Sequence, residues 1–141
     1  ALISACEKGL QWEKALEIFD DLLQHGLEPK VITYNALVSA CGKAGQWAKA
    51  IELFADLQQR GLQPNVFTYA NLISACENGA QWEKASEIFD EMQQRGLEPD
   101  IVTCNALISA CEKGGQWDKA MELFEGLQQR GLEPDRITYN A

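Results

Sequence analysis

The stretch Val31–Asn65, VITYNALVSACGKAGQWAKAIELFADLQQRGLQPN, recurs along the chain with a constant period of 35 residues. Val66–Asp100 and Ile101–Asp135 align with it without a gap, Ala1–Lys30 matches its last thirty positions, and Arg136–Ala141 matches its first six. A fixed period of this length is typical of solenoid proteins, in which each repeat buries its apolar face against its neighbours. We therefore interpret the chain as one array, with three full repeats and a partial repeat at each end.

Each full repeat carries two apolar stripes with the spacing of α-helices. Apolar residues at i, i+3, i+4 and i+7 lie on one face of a helix, and in the first full repeat they are Tyr34, Leu37, Val38 and Cys41, then Trp47, Ala50, Ile51, Phe54 and Leu57. We expect Thr33 to be the N-cap of the first helix and Gly45 to end it. Gly61 and Pro64 are expected to end the second helix. The pattern predicts antiparallel helical hairpins and an all-α solenoid.

The cysteines and tryptophans follow the repeat in the way that packing residues do. Four cysteines are one repeat apart, at Cys6, Cys41, Cys76 and Cys111, while Cys104 stands at a tyrosine place. Zinc sites need closely spaced cysteine pairs or histidine partners, and His25 is the only histidine. We therefore expect buried, reduced thiols and no metal or other cofactor. The tryptophans keep one place at the start of the second helix and are expected in the core: Trp12, Trp47, Trp82 and Trp117.

Three places in the later repeats depart from the common pattern. Ser86 replaces an apolar residue, and Cys104 has less volume than the tyrosines of the other repeats. Gly126 lies inside a second helix, where glycine costs about 1 kcal/mol relative to alanine. These irregularities indicate a natural sequence rather than an idealised consensus.

Several function classes find no support in the residues. No apolar run is long enough to span a bilayer, and no leader-like segment is present. His25 stands at a place otherwise held by arginine, so we expect it at the surface. Without a Ser/His/Asp set, paired carboxylates or a phosphate loop, we expect neither enzyme activity nor a small-molecule substrate. Because the sequence begins and ends inside a repeat, we also expect a longer array, with any targeting or catalytic segment outside it.

Two short motifs in each repeat resemble a known family. VITYNAL at Val31–Leu37 with GLQPN at Gly61–Asn65, recurring as Ile101–Leu107 with Gly131–Asp135, resembles the pentatricopeptide repeat. Tetratricopeptide repeats are also helical hairpins, but their period is 34 and their tryptophan lies in the first helix. The uniform spacing is similar to the P class of the pentatricopeptide family. The resemblance implies a right-handed superhelix that binds single-stranded RNA, one nucleotide per repeat.

The resemblance also implies roles for individual residues. In that family the fifth and last residues of a repeat face the base, which here gives the pairs Asn35 with Asn65, Ala70 with Asp100, and Asn105 with Asp135, and the incomplete pairs Lys30 and Asn140. The apolar second residues help to sandwich the bases: Ile32, Phe67, Val102 and Ile137. A basic residue near the end of the first helix approaches the phosphate, which gives Lys8, Lys43 and Lys113, whereas Asn78 departs from this pattern.

The hydrogen-bonding capacity of these pairs predicts base preferences. An aspartate carboxylate only accepts hydrogen bonds and so favours uracil or guanine, whereas an asparagine amide also donates and allows cytosine or adenine. Since asparagine at the fifth place goes with pyrimidines in the family, Asn105 with Asp135 predicts uracil. Asn35 with Asn65 predicts cytosine, with uracil tolerated. The pair of Ala70 and Asp100 is expected to discriminate poorly and lean towards guanine, and the assignment of Lys30 stays open.

The acidic net charge of −9 does not exclude such a partner. First-helix segments carry four basic and three acidic residues, while the rest of the chain carries eight basic and eighteen acidic residues. We therefore expect a nearly neutral RNA-facing surface with a modest salt dependence. The sequence predicts a binding module acting in organellar RNA processing, stability or translation, in a mitochondrion or chloroplast by family resemblance. The alternative is a tetratricopeptide-like protein-interaction scaffold, and protein partners remain possible in either case.

Overall fold

The structure is a computed structural model that describes residues 11–129 of the chain. Regular structure in this stretch is α-helical, with no strand. Its seven helices each have 13 residues: α1 Trp12–Gln24, α2 Val31–Lys43, α3 Trp47–Gln59, α4 Val66–Asn78, α5 Trp82–Gln94, α6 Ile101–Lys113 and α7 Trp117–Gln129. Helices α2, α4 and α6 are the first helices of the full repeats, and α3, α5 and α7 are the second. The predicted hairpins and the all-α fold are confirmed.

Glycine turns end the helices where the sequence predicts. Gly45 after α2 and Gly61 after α3 both have φ of +78°, a left-handed conformation that costs glycine little. After Gly45, the backbone N–H of Gln46 donates to the carbonyl of Cys41 at 2.8 Å, which satisfies one of the last carbonyls of α2. Ala80 takes the place of Gly45 in the next repeat with φ of +56°, so this turn is strained by a Cβ atom.

The first helices form a continuous layer. α2 packs against α4, and α4 packs against α6, while each second helix packs against the first helix of its own repeat. α3 also contacts α4, and α5 also contacts α6, so each second helix joins two repeats. The largest fully buried side chains come mainly from the predicted apolar stripes: Tyr34, Tyr69, Leu37, Leu57, Leu72, Ile73, Met92, Leu107 and Val38. The layer of first helices therefore presents one long surface made from equivalent positions of successive repeats.

The tryptophans pack across the boundary between repeats. Three of them are half-buried against the hydrophobic core, as expected from their constant place: Trp12, Trp47 and Trp82. A Cβ atom on Gly79 would collide with the indole of Trp47, and one on Gly114 would collide with Trp82. Glycine at the end of the next first helix therefore allows the ring to lie on the backbone. Trp117 differs, because it is 61% exposed.

The cysteines behave as small buried hydrophobes within the described residues. Cys41, Cys76, Cys104 and Cys111 are buried and form no disulfide bond, as predicted, and Cys6 lies outside the described range. Burial raises the pKa of Cys41 and of Cys76 to about 11. These thiols therefore stay protonated at neutral pH. Across residues 11–129, no group of three or more acidic, cysteine or histidine residues is arranged to hold a metal ion, and no helix could cross a membrane.

One predicted helix cap is wrong. Helix α2 begins at Val31, so its N-cap is Lys30 and Thr33 is already the third helical residue. The side chain of Lys30 makes no capping hydrogen bond, because an ammonium group has no acceptor to offer a backbone N–H. In the following repeats the N-cap is likewise the last residue of the preceding repeat. The residues that cap the first helices are therefore the same last residues of the repeats to which the family resemblance assigns base recognition.

Candidate nucleic-acid interface

Helix capping fixes the side chains of Asn65 and Asp100. The Oδ1 atom of Asn65 accepts from the backbone N–H of Thr68 at 3.1 Å, while the Thr68 hydroxyl accepts from the Asn65 N–H at 3.1 Å. This reciprocal capping box satisfies backbone donors that the helix itself cannot satisfy. Oδ1 of Asp100 accepts from the backbone N–H of Thr103 at 2.8 Å and from its hydroxyl at 2.7 Å. Because both threonines are buried, each capping side chain is anchored to the packed interior of the protein.

The caps determine which atom each side chain can offer to a ligand. Only an oxygen can accept from the backbone N–H, so the amide of Asn65 must direct Oδ1 to the helix. Its Nδ2 donates to no residue in the 11–129 stretch. Asp100 is held in the same way by Oδ1, so its Oδ2 takes the place that Nδ2 has in Asn65. Asn65 therefore offers a donor, and Asp100 offers an acceptor.

The first predicted base-reading pair is assembled in the structure. Nδ2 of Asn35 donates to Oδ1 of Asn65 at 3.1 Å, although the two residues are 30 positions apart in the chain. The Thr68 hydroxyl donates to Oδ1 of Asn35 at 2.5 Å. These bonds hold the two amides side by side at the N-terminal end of α4, next to a helix end that carries partial positive charge.

A cavity lies beside this pair, between two exposed apolar side chains. It has a volume of about 440 Å³ and is lined by Ile32, Asn35, Ala36, Ser39, Asn65, Phe67 and Asn71. Ile32 and Phe67 are 75% and 70% exposed, and Val102, at the same place in the next repeat, is 63% exposed. Exposed apolar side chains at one place in each repeat are not explained by the core. Ile32 and Phe67 line this open cavity together with the pair of Asn35 and Asn65, and we call it the slot of the pair.

Asn71 is a site residue that the sequence analysis missed. Its Nδ2 donates to the backbone carbonyl of Asn35 at 3.2 Å, and its side chain lines the same cavity. The available signal was a reversed order: the other full repeats have Asn-Ala at their fifth and sixth places, whereas this one has Ala70-Asn71. The second repeat thus has its asparagine at Asn71 instead of at Ala70, and this side chain contributes to the site of Asn35 and Asn65.

The other predicted pairs are less complete in the structure. Ala70 is half-buried and contributes no polar group, while Asp100 is exposed. Asn105 is buried at 7% exposure, deeper than Asn35, which has an intermediate exposure. Four predicted site residues lie outside the described range: Lys8, Asp135, Ile137 and Asn140. Their roles stay predictions.

The predicted phosphate-facing residues lie at the ends of the first helices. Lys43 and Lys113 occupy the last turns of α2 and α6, and both are exposed. Nζ of Lys113 lies 3.2 Å from Oε1 of Glu77, which also accepts from the Ser109 hydroxyl at 2.8 Å. Asn78 stands at the lysine place in α4 and donates to the backbone carbonyl of Gly42 at 3.2 Å. A carboxylate is therefore already paired with Lys113.

Comparisons with family models give three matches, all to pentatricopeptide repeats. The model of the PPR repeat family matches residues 1–43 and 29–78, the pentatricopeptide repeat domain matches residues 87–141, and a further PPR repeat model matches residues 67–97. No curated protein sequence gave a significant match.

Solved structures of several repeat proteins are similar. The pentatricopeptide repeat protein PPR10 in complex with an 18-nt psaJ RNA element has a TM-score of 0.85 and 31% identity, covering 98% of this chain and 20% of that one. A further structure, of the pentatricopeptide repeat protein PPR10 from maize, has a TM-score of 0.69 and 34% identity, covering 98% of this chain and 20% of that one. The PPR domain of Arabidopsis thaliana protein-only RNase P 1, in complex with tRNA, has a TM-score of 0.85, covering 96% of this chain and 72% of that one; at 19% identity it supports the fold alone.

The chain thus spans about a fifth of the length of PPR10. Family models cover more than half of its residues, and its helical hairpins recur every 35 residues. The chain belongs to the pentatricopeptide repeat family.

Proposed function

We propose that the chain is a sequence-selective module for single-stranded RNA, of the P class, with one nucleotide bound per repeat. The observation that carries this proposal is the slot that Ile32 and Phe67 line together with the pair of Asn35 and Asn65. A base is flat and apolar on both faces and polar at its edge, so it matches a slot with this distribution of groups. PPR10, which resembles the chain at 31% identity, was solved in complex with RNA.

The capped orientation of Asn65 supports cytosine as the preferred base in this slot. Nδ2 of Asn65 is directed away from the helix as a donor, and N3 of cytosine is an acceptor on the Watson–Crick edge. Uracil carries an N–H at that position, which would face the N–H donor of Asn65. Uracil could therefore bind only if it shifted so that one of its carbonyl oxygens accepted from Nδ2. Asn35 holds Asn65 in place and has a second amide hydrogen for the base.

The second slot is expected to select its base weakly. Oδ2 of Asp100 is an acceptor, which suits the N–H groups of guanine or uracil, but Ala70 supplies no second polar group. Phe67 and Val102 would form its walls, since both are largely exposed. The third slot, with Asn105 and Asp135, is proposed to accept uracil.

Phosphate binding is proposed for the lysines at the ends of the first helices. Lys43 and Lys113 are exposed on the last turns of α2 and α6. They are few, and Lys113 faces Glu77 at 3.2 Å, so we expect few counterions to be released and a shallow dependence of affinity on salt. Most recognition would then come from the base slots.

The proposed role is binding rather than chemistry. A protein that occupies a transcript can exclude nucleases or change RNA structure, and by family resemblance we propose such a role in a mitochondrion or chloroplast. Three full repeats contact too few nucleotides to define a target, so we expect the isolated chain to bind weakly.

Selection from a random pool of single-stranded RNA tests the proposal. The chain is placed within a longer repeat array, and a second array carries Asn35→Ala and Asn65→Ala. We expect cytosine to be enriched at one position by the first array and not by the second. Enrichment of the same bases by both arrays would contradict the proposed pair. Failure of both arrays to retain RNA would support the protein-interaction scaffold instead.

A further inference from the structure

Asn71 has one amide atom that the fold uses and one that it does not. Its Nδ2 donates to the backbone carbonyl of Asn35 at 3.2 Å, so its other polar atom is the acceptor Oδ1. Oδ1 accepts from no group in residues 11–129, and it is accessible, because the one fully buried side-chain atom without a hydrogen bond in this stretch is the Ser86 oxygen. Asn71 also lines the slot of the pair. It therefore offers this slot an acceptor.

Asn71 lies between the groups proposed for the base edge and the place proposed for phosphate. At about 1.5 Å of rise per residue, it is about 9 Å along α4 from the N-cap Asn65 and about 10 Å before Asn78, which stands at the lysine place. Helices α2 and α4 run in the same direction, because Asn71 bonds to Asn35 and Asn78 bonds to Gly42, seven residues further along both helices. The order along this surface is base-edge groups, Asn71 and phosphate place.

The groups of a bound cytidine follow one another in the same order, from base edge to ribose to phosphate. Nδ2 of Asn65 is the proposed donor to N3, and Asn35 has a second amide hydrogen for the base. The next acceptor from N3 towards the ribose is O2, and in RNA this oxygen and the ribose 2′-hydroxyl lie on the same, minor-groove side. A cytidine with O2 at Asn35 thus brings its 2′-hydroxyl towards Asn71. The hydroxyl can donate, and Oδ1 can accept.

We propose that Asn71 binds the ribose 2′-hydroxyl of the nucleotide held by Asn35 and Asn65, and that this contact selects RNA over DNA at that nucleotide. The inference rests on the proposed function and extends it, since the pair recognises the base and Asn71 recognises the sugar. The 2′-hydroxyl is the group by which a protein distinguishes RNA from DNA at a given site.

The next slot lacks the acceptor that Asn71 supplies. Ala106 stands at the place of Asn71 in the third repeat, and its side chain has no polar atom. Ser39 and Ser74 hold the same place in the first and second repeats, so a sugar contact made by these serines would be common to both slots. Selection for ribose is therefore expected at one nucleotide and not at its neighbour.

Changes of one group in the RNA test the proposal without altering the protein. The full chain is set in a longer array whose other repeats fix the register, and the RNA carries cytosine at the slot of the pair. That nucleotide is ribose, 2′-deoxyribose or 2′-fluororibose, which cannot donate, and a second series has the same changes at the next slot. We expect both substitutions to lower affinity roughly three- to tenfold at the slot of the pair, the value of one neutral hydrogen bond, and less than about twofold at the next slot.

Two variants assign this effect to a side chain. Asn71→Ala should lower affinity for the all-ribose RNA and remove the further loss on 2′-deoxy substitution, whereas a purely structural role would leave that loss unchanged. Asn78→Ala is the matched control, because it loses a bond of the same kind, to the carbonyl of Gly42, at the lysine place. It should keep the full loss on 2′-deoxy substitution.

The outcomes separate this inference from the proposed function. If wild type prefers cytosine over uracil but 2′-deoxy substitution has the same effect at both slots, or has an unchanged effect in Asn71→Ala, the sugar contact is overturned and the proposed function stands. If wild type binds no RNA or shows no cytosine preference, the proposed function is overturned and the sugar contact with it.

Discussion

Nδ2 of Asn35 lies 3.1 Å from Oδ1 of Asn65, so the side chains of two residues 30 positions apart in the chain are in direct contact. The capping box with Thr68 fixes Asn65, and the Thr68 hydroxyl holds Asn35 at 2.5 Å. A site that is held in this way loses little conformational freedom on binding. The secondary structure of α4 and the proposed recognition of a base thus use the same atoms.

The exposed ring of Phe67 is the first test of the base slot. We expect Phe67→Ala to lower the affinity of an extended array for RNA by tenfold or more, because base stacking on an aromatic ring contributes about 1–3 kcal/mol. The ring is 70% exposed, so the free energy of unfolding should change little. Filter binding and urea denaturation measure the two quantities.

Met121→Ala is the matched control for this change. Met121 is 58% exposed on the second helix α7, outside the layer of first helices. We expect no change in RNA affinity. An equal loss in both variants would indicate a general effect of apolar surface instead of a base slot.

Asn71 should matter for one base and not for its neighbour. Asn71→Ala removes the bond to the Asn35 carbonyl at 3.2 Å, and we expect it to reduce the cytosine preference at the slot of Asn35 several-fold. Asn78→Ala removes a bond of the same kind and length, to Gly42, seven residues further along α4. Competition binding with RNAs that differ at one position should show loss of preference in the first variant alone. The same loss in both would assign Asn71 a purely structural role.

The sequence was sufficient to predict most of the fold, but it placed fewer of the site atoms. The period and the stripes predicted hairpins because each helix buries the same face in every repeat, as Leu37, Leu72 and Leu107 do. The sequence pattern favours Thr33 as the cap and so does not reveal the capping role of Asn65, because helix boundaries depend on backbone geometry that propensity describes poorly. Asn71 was missed because its contact crosses a repeat boundary.

The ion pair between Glu77 and Lys113 should weaken phosphate binding. We expect Glu77→Gln to raise RNA affinity at low salt and to steepen the salt dependence by about 0.7 in slope, the value for one added contact to a single strand. The amide oxygen can still accept from Ser109. Affinities measured from 50 to 200 mM salt, roughly the range over which such slopes are determined, provide the slope.

Glu112→Gln provides the control for net charge. Glu112 occupies the place of Glu77 in the next repeat, and burial raises the pKa of its carboxyl group. The change removes the same formal charge without releasing Lys113. If both variants steepen the salt dependence equally, the effect comes from net charge. The proposal that Lys113 leaves Glu77 to bind a phosphate would then be contradicted.

The buried thiols predict a loss of stability in alkali. Burial raises the pKa of Cys41 and Cys76 from 9.0 to about 11 in the folded chain, so the unfolded chain releases its protons first. Their contribution is complete below pH 9 and is lost as pH rises from 9 towards 11, by about 1.4 kcal/mol per pH unit for each thiol. Urea denaturation from pH 8 to about 9.5, roughly half a unit below the pKa of an ordinary tyrosine, measures this slope. Cys41→Ala with Cys76→Ala should flatten it, and an unchanged slope would assign the loss to other groups.

The most direct measurement is the affinity ratio for RNAs with cytosine or uracil opposite the pair of Asn35 and Asn65, in an extended array. Asn65→Asp keeps the cap, because a carboxylate oxygen also accepts from Thr68, but it replaces the outward donor with an acceptor. We predict that wild type prefers cytosine and that the variant prefers uracil. The ratio should change by about tenfold or more, since each mismatched donor costs about 1–3 kcal/mol. Gln63→Glu adds the same charge two residues away, at a place where another repeat has Glu98, and should leave the ratio unchanged. A ratio that is the same in wild type and Asn65→Asp would contradict base recognition by this pair.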